Sequence, residues 1–308
     1  MTEPIQFVKL SGSGNDFICI DNRTGGFDRL LPEGGAGRFA AVLCRRGLGI
    51  GADGLIFAVQ PEIEGVSDIA ARFFEPDGSE ARLCGNGTAC FLYWVTCNGW
   101  VPDGEVRILT PAGVVRGRNG KGQYVRVCIP DPQEMKTDLE VTVAGRALKC
   151  DFVVTGVPHV ITYVDDVDRV DVGHLGPALR HHPRFQPAGA NANFVQVLGE
   201  GHIALRTFEF GVEAETLACG TGSAAAAILT ALRFKWPEKY TSGQEVVRIR
   251  TRGGHTLQVE FTVNEHGGIV DVCLHTVVHQ VYSGAVSEDL AARALGRDAP
   301  AAGVSASP

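Results

Sequence analysis

Along most of the chain, hydrophobic and polar positions alternate in short runs separated by glycine-rich breaks. The run FVKLSGSGNDFICIDN (7–22) reads as a strand, a glycine turn and a second strand ending in acid, because a period of two places successive side chains on opposite faces of a sheet. FVVTGVPHVITYVDD (152–166) repeats that order. VRILTPAGVVRGRNGKGQYVRVCI (106–129) and VRIRTRGGHTLQVEFTVNEHGGIVDVCL (247–274) both predict alternating strands joined by glycine-rich turns. Two segments break the alternation, TACFLYWVTCNGW (88–100) and SAAAAILTALRFKW (223–236), and read as helices that begin just past a Gly-x-Gly. The order strand, turn, strand, cysteine-headed helix, hairpins therefore occurs twice.

The expected fold class is α+β. Two pseudo-symmetric homologous lobes would each place antiparallel or mixed strands around a central helix, with an active-site cleft between them. The expected boundaries are 1–140 for the first lobe, 141–285 for the second, and 286–308 for a tail disordered at its end, where Ala, Ser and Pro accumulate after Arg297. HTVVHQVYSGAV (275–286) is open to two placements, in the second lobe or back on the first.

Composition narrows the function classes. The chain has 308 residues, enough for two ordinary domains, and 44% of them are hydrophobic. Net charge is −7 with no basic clustering, which argues against nucleic acid. No apolar run approaches the length of a bilayer span. MTEPIQFVKL lacks the pattern of a signal peptide, so a cytoplasmic protein is expected. Nine cysteines, odd in number and scattered, are expected as thiols rather than as a disulfide framework. Cys19, Cys128 and Cys273 lie in apolar alternating runs and read as small hydrophobes. No metal-ligand spacing stands out, and no nucleotide fingerprint or Schiff-base lysine motif announces a cofactor.

Candidate chemistry concentrates at two matched turns. FFEPDGSEARLCGNGTAC (73–90) and FEFGVEAETLACGTGS (208–223) both climb through acidic residues to a cysteine followed by Gly-polar-Gly, and the two cysteines are 135 positions apart (219 − 84). A helix start with small residues offers exposed N–H groups and a favourable dipole to an anion, and the same field lowers the pKa of a thiol. A single cysteine in such a turn is more often structural; two in matched lobe positions favour function. Cys84 and Cys219, facing each other, would flank one carboxylate-bearing carbon, so that one thiolate removes its proton and the opposite thiol returns one. Gly85-Asn86 and Gly220-Thr221 would grip the carboxylate as charge develops on it.

These runs resemble the diaminopimelate epimerase family, whose members are cofactor-independent. The matching segments are KLSGSGNDFICID (9–21), GIGADGLI (49–56), PDGSEARLCGNGTAC (76–90), TPAG (110–113), GVPH (156–159), GANANFVQV (189–197) and ETLACGTGSA (215–224). The resemblance implies catalytic thiols at Cys84 and Cys219, helper groups at His159 and Glu209, and substrate contacts at Asn15, Asn193, Gly85, Asn86, Gly220 and Thr221. It implies a small amino-acid substrate, no cofactor, no metal, and a possible homodimer. Asp53, in GADG, reads as a structural turn residue.

Three positions depart from the family pattern. Glu75 stands where Asn is usual, Val157 follows Gly156 where Asn is usual, and Phe210 follows Glu209 where Arg is usual. All three bear on the far end of the substrate, where an arginine fork would hold a carboxylate. Arg72 and Arg82 are the basic residues near in sequence that could compensate. Beside diaminopimelate epimerisation, the altered positions leave open a racemase of another basic or aromatic amino acid, and a non-catalytic amino-acid-binding protein.

Overall fold

The computed structural model describes residues 4–297 except 29, 30, 32, 33, 64, 121, 122, 144 and 255; the expected disorder at the chain's end lies outside the described residues. The first half contains β1 (Gln6–Gly12), β2 (Asn15–Asp21), α1 (Gly35–Cys44), β3 (Gly54–Val59), β4 (Ile69–Phe74), β5 (Glu80–Ala81), α2 (Gly85–Cys97), β6 (Val106–Thr110), β7 (Gly113–Asn119) and β8 (Tyr124–Cys128). After β9 (Gln133–Val143), the second half contains β10 (Arg146–Val154), β11 (Pro158–Tyr163), α3 (Val172–Arg180), β12 (Asn191–Gly199), β13 (His202–Glu209), β14 (Ala214–Thr216), α4 (Gly220–Arg233), β15 (Val247–Arg250), β16 (Thr256–Val263) and β17 (Ile269–Ala285). A short helix, α5 (Glu288–Ala294), follows, capped by the Ser287 side chain accepting from the Leu290 N–H.

The pairings of the two halves match strand for strand. β1–β2 is antiparallel, β2–β3 parallel, β3–β4 antiparallel and β4–β6 parallel. β10–β11, β11–β12, β12–β13 and β13–β15 repeat that sequence of directions. α1 and α3 occupy the equivalent crossovers, and α2 and α4 follow the equivalent short strands β5 and β14. The α+β class and the internal duplication are thus present in the pairing pattern itself.

The halves exchange strands at their ends. β17 pairs with β8 over Cys273–Val277 and then with β1 over Val278–Ala285. The segment with two open placements therefore returns to the first half. Reciprocally β9, which follows β8, pairs with β10 of the second half.

Cys128 and Cys273, equivalent positions of the duplicated strands, lie directly opposite each other on β8 and β17 and form a disulfide. This corrects the expectation that all nine cysteines are thiols. The physical reason is non-local: the antiparallel register of two strands 145 residues apart brings the pair together, and sequence spacing carries no sign of it. The remaining seven cysteines are free. Titration of the denatured, unreduced protein with a thiol reagent is expected to count seven thiols, rising to nine after reduction; nine before reduction would remove the crosslink.

Each half wraps its sheet around one central helix. On α2 every residue from Gly85 to Leu92 is buried, and on α4 every residue from Gly220 to Ala231. A helix apolar on all sides belongs in a core, and the run Ala224–Ala227 keeps α4 thin enough for strands to approach closely. Phe91, Leu92, Ile228 and Leu229 belong to one continuous core shared by both halves. A second cluster underlies α3. A third joins α1 to the outer face of β2 and β3, away from α2, with Leu290 and Ala294 of α5 packed on it.

Candidate active site

The two cysteine turns meet where the starts of α2 and α4 abut. A Cβ placed on Gly85 would lie 3.6 Å from Gly220 Cα and 2.9 Å from Leu274 Cδ1. The two helix starts are thus in direct contact, a side chain at either glycine would press on the Leu274 methyl, and the bare glycines leave the backbone accessible to a ligand. Both helices begin at the first glycine, three residues earlier than the sequence reading placed them, because the cysteine is itself the N-cap. Cys84 Sγ accepts from the Gly87 N–H at 3.4 Å, and Cys219 Sγ from the Gly222 N–H at 3.3 Å. Sulfur takes the role that Ser, Thr, Asp or Asn oxygens usually fill. Thr88 Oγ1 donates to the Cys84 carbonyl and Ser223 Oγ to the Cys219 carbonyl, both at 2.8 Å. The duplication thus extends to individual hydrogen bonds.

Around Cys219 a relay is assembled. Asn193 Nδ2 donates to His159 Nδ1 at 3.1 Å, which leaves the proton on Nε2 to be donated to Thr221 Oγ1 at 3.0 Å. Thr221 Oγ1 stands 3.6 Å from Cys219 Sγ. His159 and Asn193 are fully buried, and burial pushes the His159 pKa down to about 3. It is a neutral imidazole that orients Thr221. Glu209 hydrogen-bonds both the Thr216 hydroxyl and the Cys219 thiol, and burial pushes its pKa up to about 7.

Cys84 opens on a cleft of about 110 Å³. Asn15, Glu75, Cys84, Glu209 and Phe210 line it, together with Phe17, Phe73, Phe74, Val212 and Thr216, among others. Asn86 and Thr221 lie at the helix junction, while His159, Asn193 and Cys219 sit behind the cleft wall. Asp53 also lines the cleft. It accepts from Asn15 Nδ2 at 3.2 Å, which turns Asn15 Oδ1 toward Asn86 Nδ2 at 2.7 Å, and Arg46 holds the other Asp53 oxygen at 2.8 Å. The hairpin turn at Ser13–Gly14, with φ of 52° and 95°, sets Asn15 at the strand start facing α2. Sequence reading did not anticipate Thr216, the Thr221 hydroxyl relay, or Asn191, whose Oδ1 accepts from the Phe210 N–H at 2.7 Å. Polar side chains two or three positions from Asn193 and Cys219 were the available signal.

Electrostatics differ from the expectation of activated thiols. Burial, reinforced by the Glu75 carboxylate, pushes the Cys84 pKa up to about 12, and burial together with Glu209 holds Cys219 well above the ordinary thiol range. Desolvation outweighs the helix-start field at both thiols. Glu75 is likewise pushed up to about 7 by burial and by Glu209. A carboxyl whose pKa is raised on folding stabilises the fold below its unfolded value and loses that contribution as pH rises through the folded value. Glu75→Gln is therefore expected to raise the melting temperature by a few degrees at pH 8, for a gain on the order of 1–3 kcal/mol, and to change it little at pH 4. An equal effect at both pH values in thermal melts would contradict the assignment.

Comparison with known proteins gives the chain's family and fold. The family profile described as Diaminopimelate epimerase matches residues 7–148 and 152–278. The Diaminopimelate epimerase of Aquifex aeolicus is 39% identical over 291 residues, covering 93% of this chain and 99% of that protein. That of Methanothrix thermoacetophila is 38% identical over 290 residues, covering 90% and 97%. Among solved structures, a probable proline racemase from Agrobacterium radiobacter superposes with a TM-score of 0.71 at 17% identity, over 92% of this chain and 93% of that one. A hydroxyproline epimerase from Agrobacterium vitis gives 0.70 at 16%, over 92% and 90%. These two show the fold. The profile and the sequence relatives, spanning nearly the whole length in order, place this chain in the diaminopimelate epimerase family.

Proposed function

We propose that the protein is a cofactor-independent diaminopimelate epimerase, interconverting the LL and meso forms of 2,6-diaminopimelate by transfer of the α-proton between two thiols. The observation that carries the reading is the pair of cysteine N-caps on two abutting helix starts. The reaction serves lysine and peptidoglycan synthesis in the cytoplasm. The lobes of this enzyme are taken as 1–140 and 141–285, with β9 and the end of β17 exchanged between them.

In this reading the substrate α-carboxylate lies against the N–H groups at Gly85-Asn86 and Gly220-Thr221, with Asn15 alongside. One cysteine, as thiolate, takes the α-proton and becomes a thiol. The C–H electron pair moves into the carboxylate, where the helix-start N–H groups stabilise the added charge. The opposite thiol gives its proton to the other face of the carbon and becomes the thiolate. The proton count is unchanged and only the configuration is inverted. For Cys219, Glu209 receives the thiol proton when the substrate closes the site, and Thr221, held by His159 and Asn193, donates to the resulting thiolate.

The test is proton NMR of the reduced enzyme in deuterated water with LL-diaminopimelate. Loss of the α-proton signal together with appearance of the meso form supports the reading. An unchanged spectrum would overturn it.

A further inference from the structure

The cleft beside Cys84 is marked as the substrate site by the thiol and the two helix starts, independently of the charges that line its walls. Those charges have one sign. Asp53, Glu75 and Glu209 line it with Phe17, Phe73, Phe74 and Phe210, and no Lys, Arg or His lines it among the described residues. The nearby basic side chains are already committed. Arg46 bridges Asp16 and Asp53, both within 2.8 Å. Arg72 is paired through two hydrogen bonds with Glu80. Arg180 is bound to Glu213 and stacked behind Phe210, its Cζ 4.3 Å from the ring centroid. Arg82, the remaining basic residue near in sequence, does not line the cleft.

The three carboxylates are not equivalent. Asp53 is held by Arg46 and Asn15, and Glu209 by Thr216 and Cys219. Glu75 has neither a hydrogen-bond donor nor a cation on its carboxylate among the described residues, yet it is half-buried in an aromatic-walled cleft. A desolvated carboxylate without a partner is costly, and a ligand cation removes that cost. Aromatic faces add to the attraction for a cation. A distal carboxylate would meet no counter-charge there, only solvent at the open mouth.

We propose that Glu75 is the specificity-determining residue that receives a distal cationic group of the substrate, and that the site consequently racemises basic α-amino acids such as lysine and ornithine as well as diaminopimelate. The proposal rests on the two-thiol reading above. With lysine, one thiolate takes the α-proton, the electron pair enters the α-carboxylate, and the opposite thiol protonates the other face, so L-lysine becomes D-lysine with no other reactant.

The test compares α-proton exchange of L-lysine, L-ornithine, L-norleucine and LL-diaminopimelate in deuterated water, with lysine binding followed by calorimetry. Norleucine keeps the length of lysine's carbon chain and lacks the cation. A charge-assisted contact is worth roughly 10- to 100-fold in selectivity. The expected result is lysine exchange at least ~10-fold more efficient than norleucine exchange, with that ratio collapsing in Glu75→Gln. A second variant, Phe210→Arg, is expected to shift preference from lysine toward diaminopimelate by supplying the missing cation. Lysine no better than norleucine, or a ratio unmoved by Glu75→Gln, overturns the proposal, and exchange of diaminopimelate alone does so while leaving the epimerase reading standing. Glu75-dependent lysine binding without exchange of any substrate keeps the recognition, but overturns both the proposed lysine racemisation and the epimerase reading. Neither binding nor exchange overturns both.

Discussion

Replacing Cys84 with alanine is expected to reduce stereoinversion by on the order of 10³-fold, and replacing Cys219 to do the same. General acid and general base assistance each contribute about 10²–10⁴-fold, and the two-thiol cycle needs both groups in either direction. The two variants should differ in what they leave. A lone thiol can still remove a proton from the face it sees and return a deuteron to that same face. Each variant should therefore retain slow exchange with retention in one stereoisomer, the opposite one for the other variant, which would assign each thiol to a face. Removing Sγ also removes the cap on the Gly87 or Gly222 N–H, at about 1 kcal/mol. Cys84→Ser and Cys219→Ser keep an acceptor at that position and separate the chemical loss from the structural one. Inversion near the wild-type rate in any of the four variants, followed by chiral chromatography, would exclude the mechanism. In the serine variants inversion is expected to fall by the same order with an unchanged melting temperature, while the remaining thiol keeps its slow exchange with retention.

The duplication and both cysteine turns were legible because they are local patterns: alternation with period two, a glycine break, and a cysteine before Gly-x-Gly. Asn15, Glu75, Glu209 and Phe210 were named only through the family resemblance, as matches to its pattern or departures from it, and the structure gathers them on the cleft with Cys84. What stayed hidden depends on pairing between distant strands. The exchange of β9 and β17, the disulfide between Cys128 and Cys273, and the placement of Asn193 behind His159 all follow from register across more than one strand. The helix starts were misplaced because sulfur is not an expected N-cap. The direction of the thiol pKa was misjudged because a helix-start field can be read from sequence, whereas the burial that overrides it cannot. Asp53 shows that a turn residue and a site residue need not be alternatives, since one oxygen carries the Arg46 pair and the other positions Asn15.

Glu209→Gln is expected to lower inversion by about 10²-fold and to erase an acid limb in the pH profile centred near 7. Burial pushes the Glu209 carboxyl up to about 7, and it hydrogen-bonds the Cys219 thiol. Only the ionised form can accept the thiol proton, so activity should rise with pH through 7 and fall away below it. Glu75 sits in the same cleft and is also pushed up to about 7, so a limb at that pH does not by itself identify its owner. The two roles separate by variant. If Glu75 only receives the distal cation, Glu75→Gln should act mainly through KM and leave the limb of kcat near 7. If Glu209 receives the thiol proton, its glutamine variant should lose kcat and the limb together, because a neutral amide cannot take the proton at any pH. A limb that persists near 7 in Glu209→Gln and vanishes in Glu75→Gln would reverse the assignment and make Glu75 the base that prepares the site.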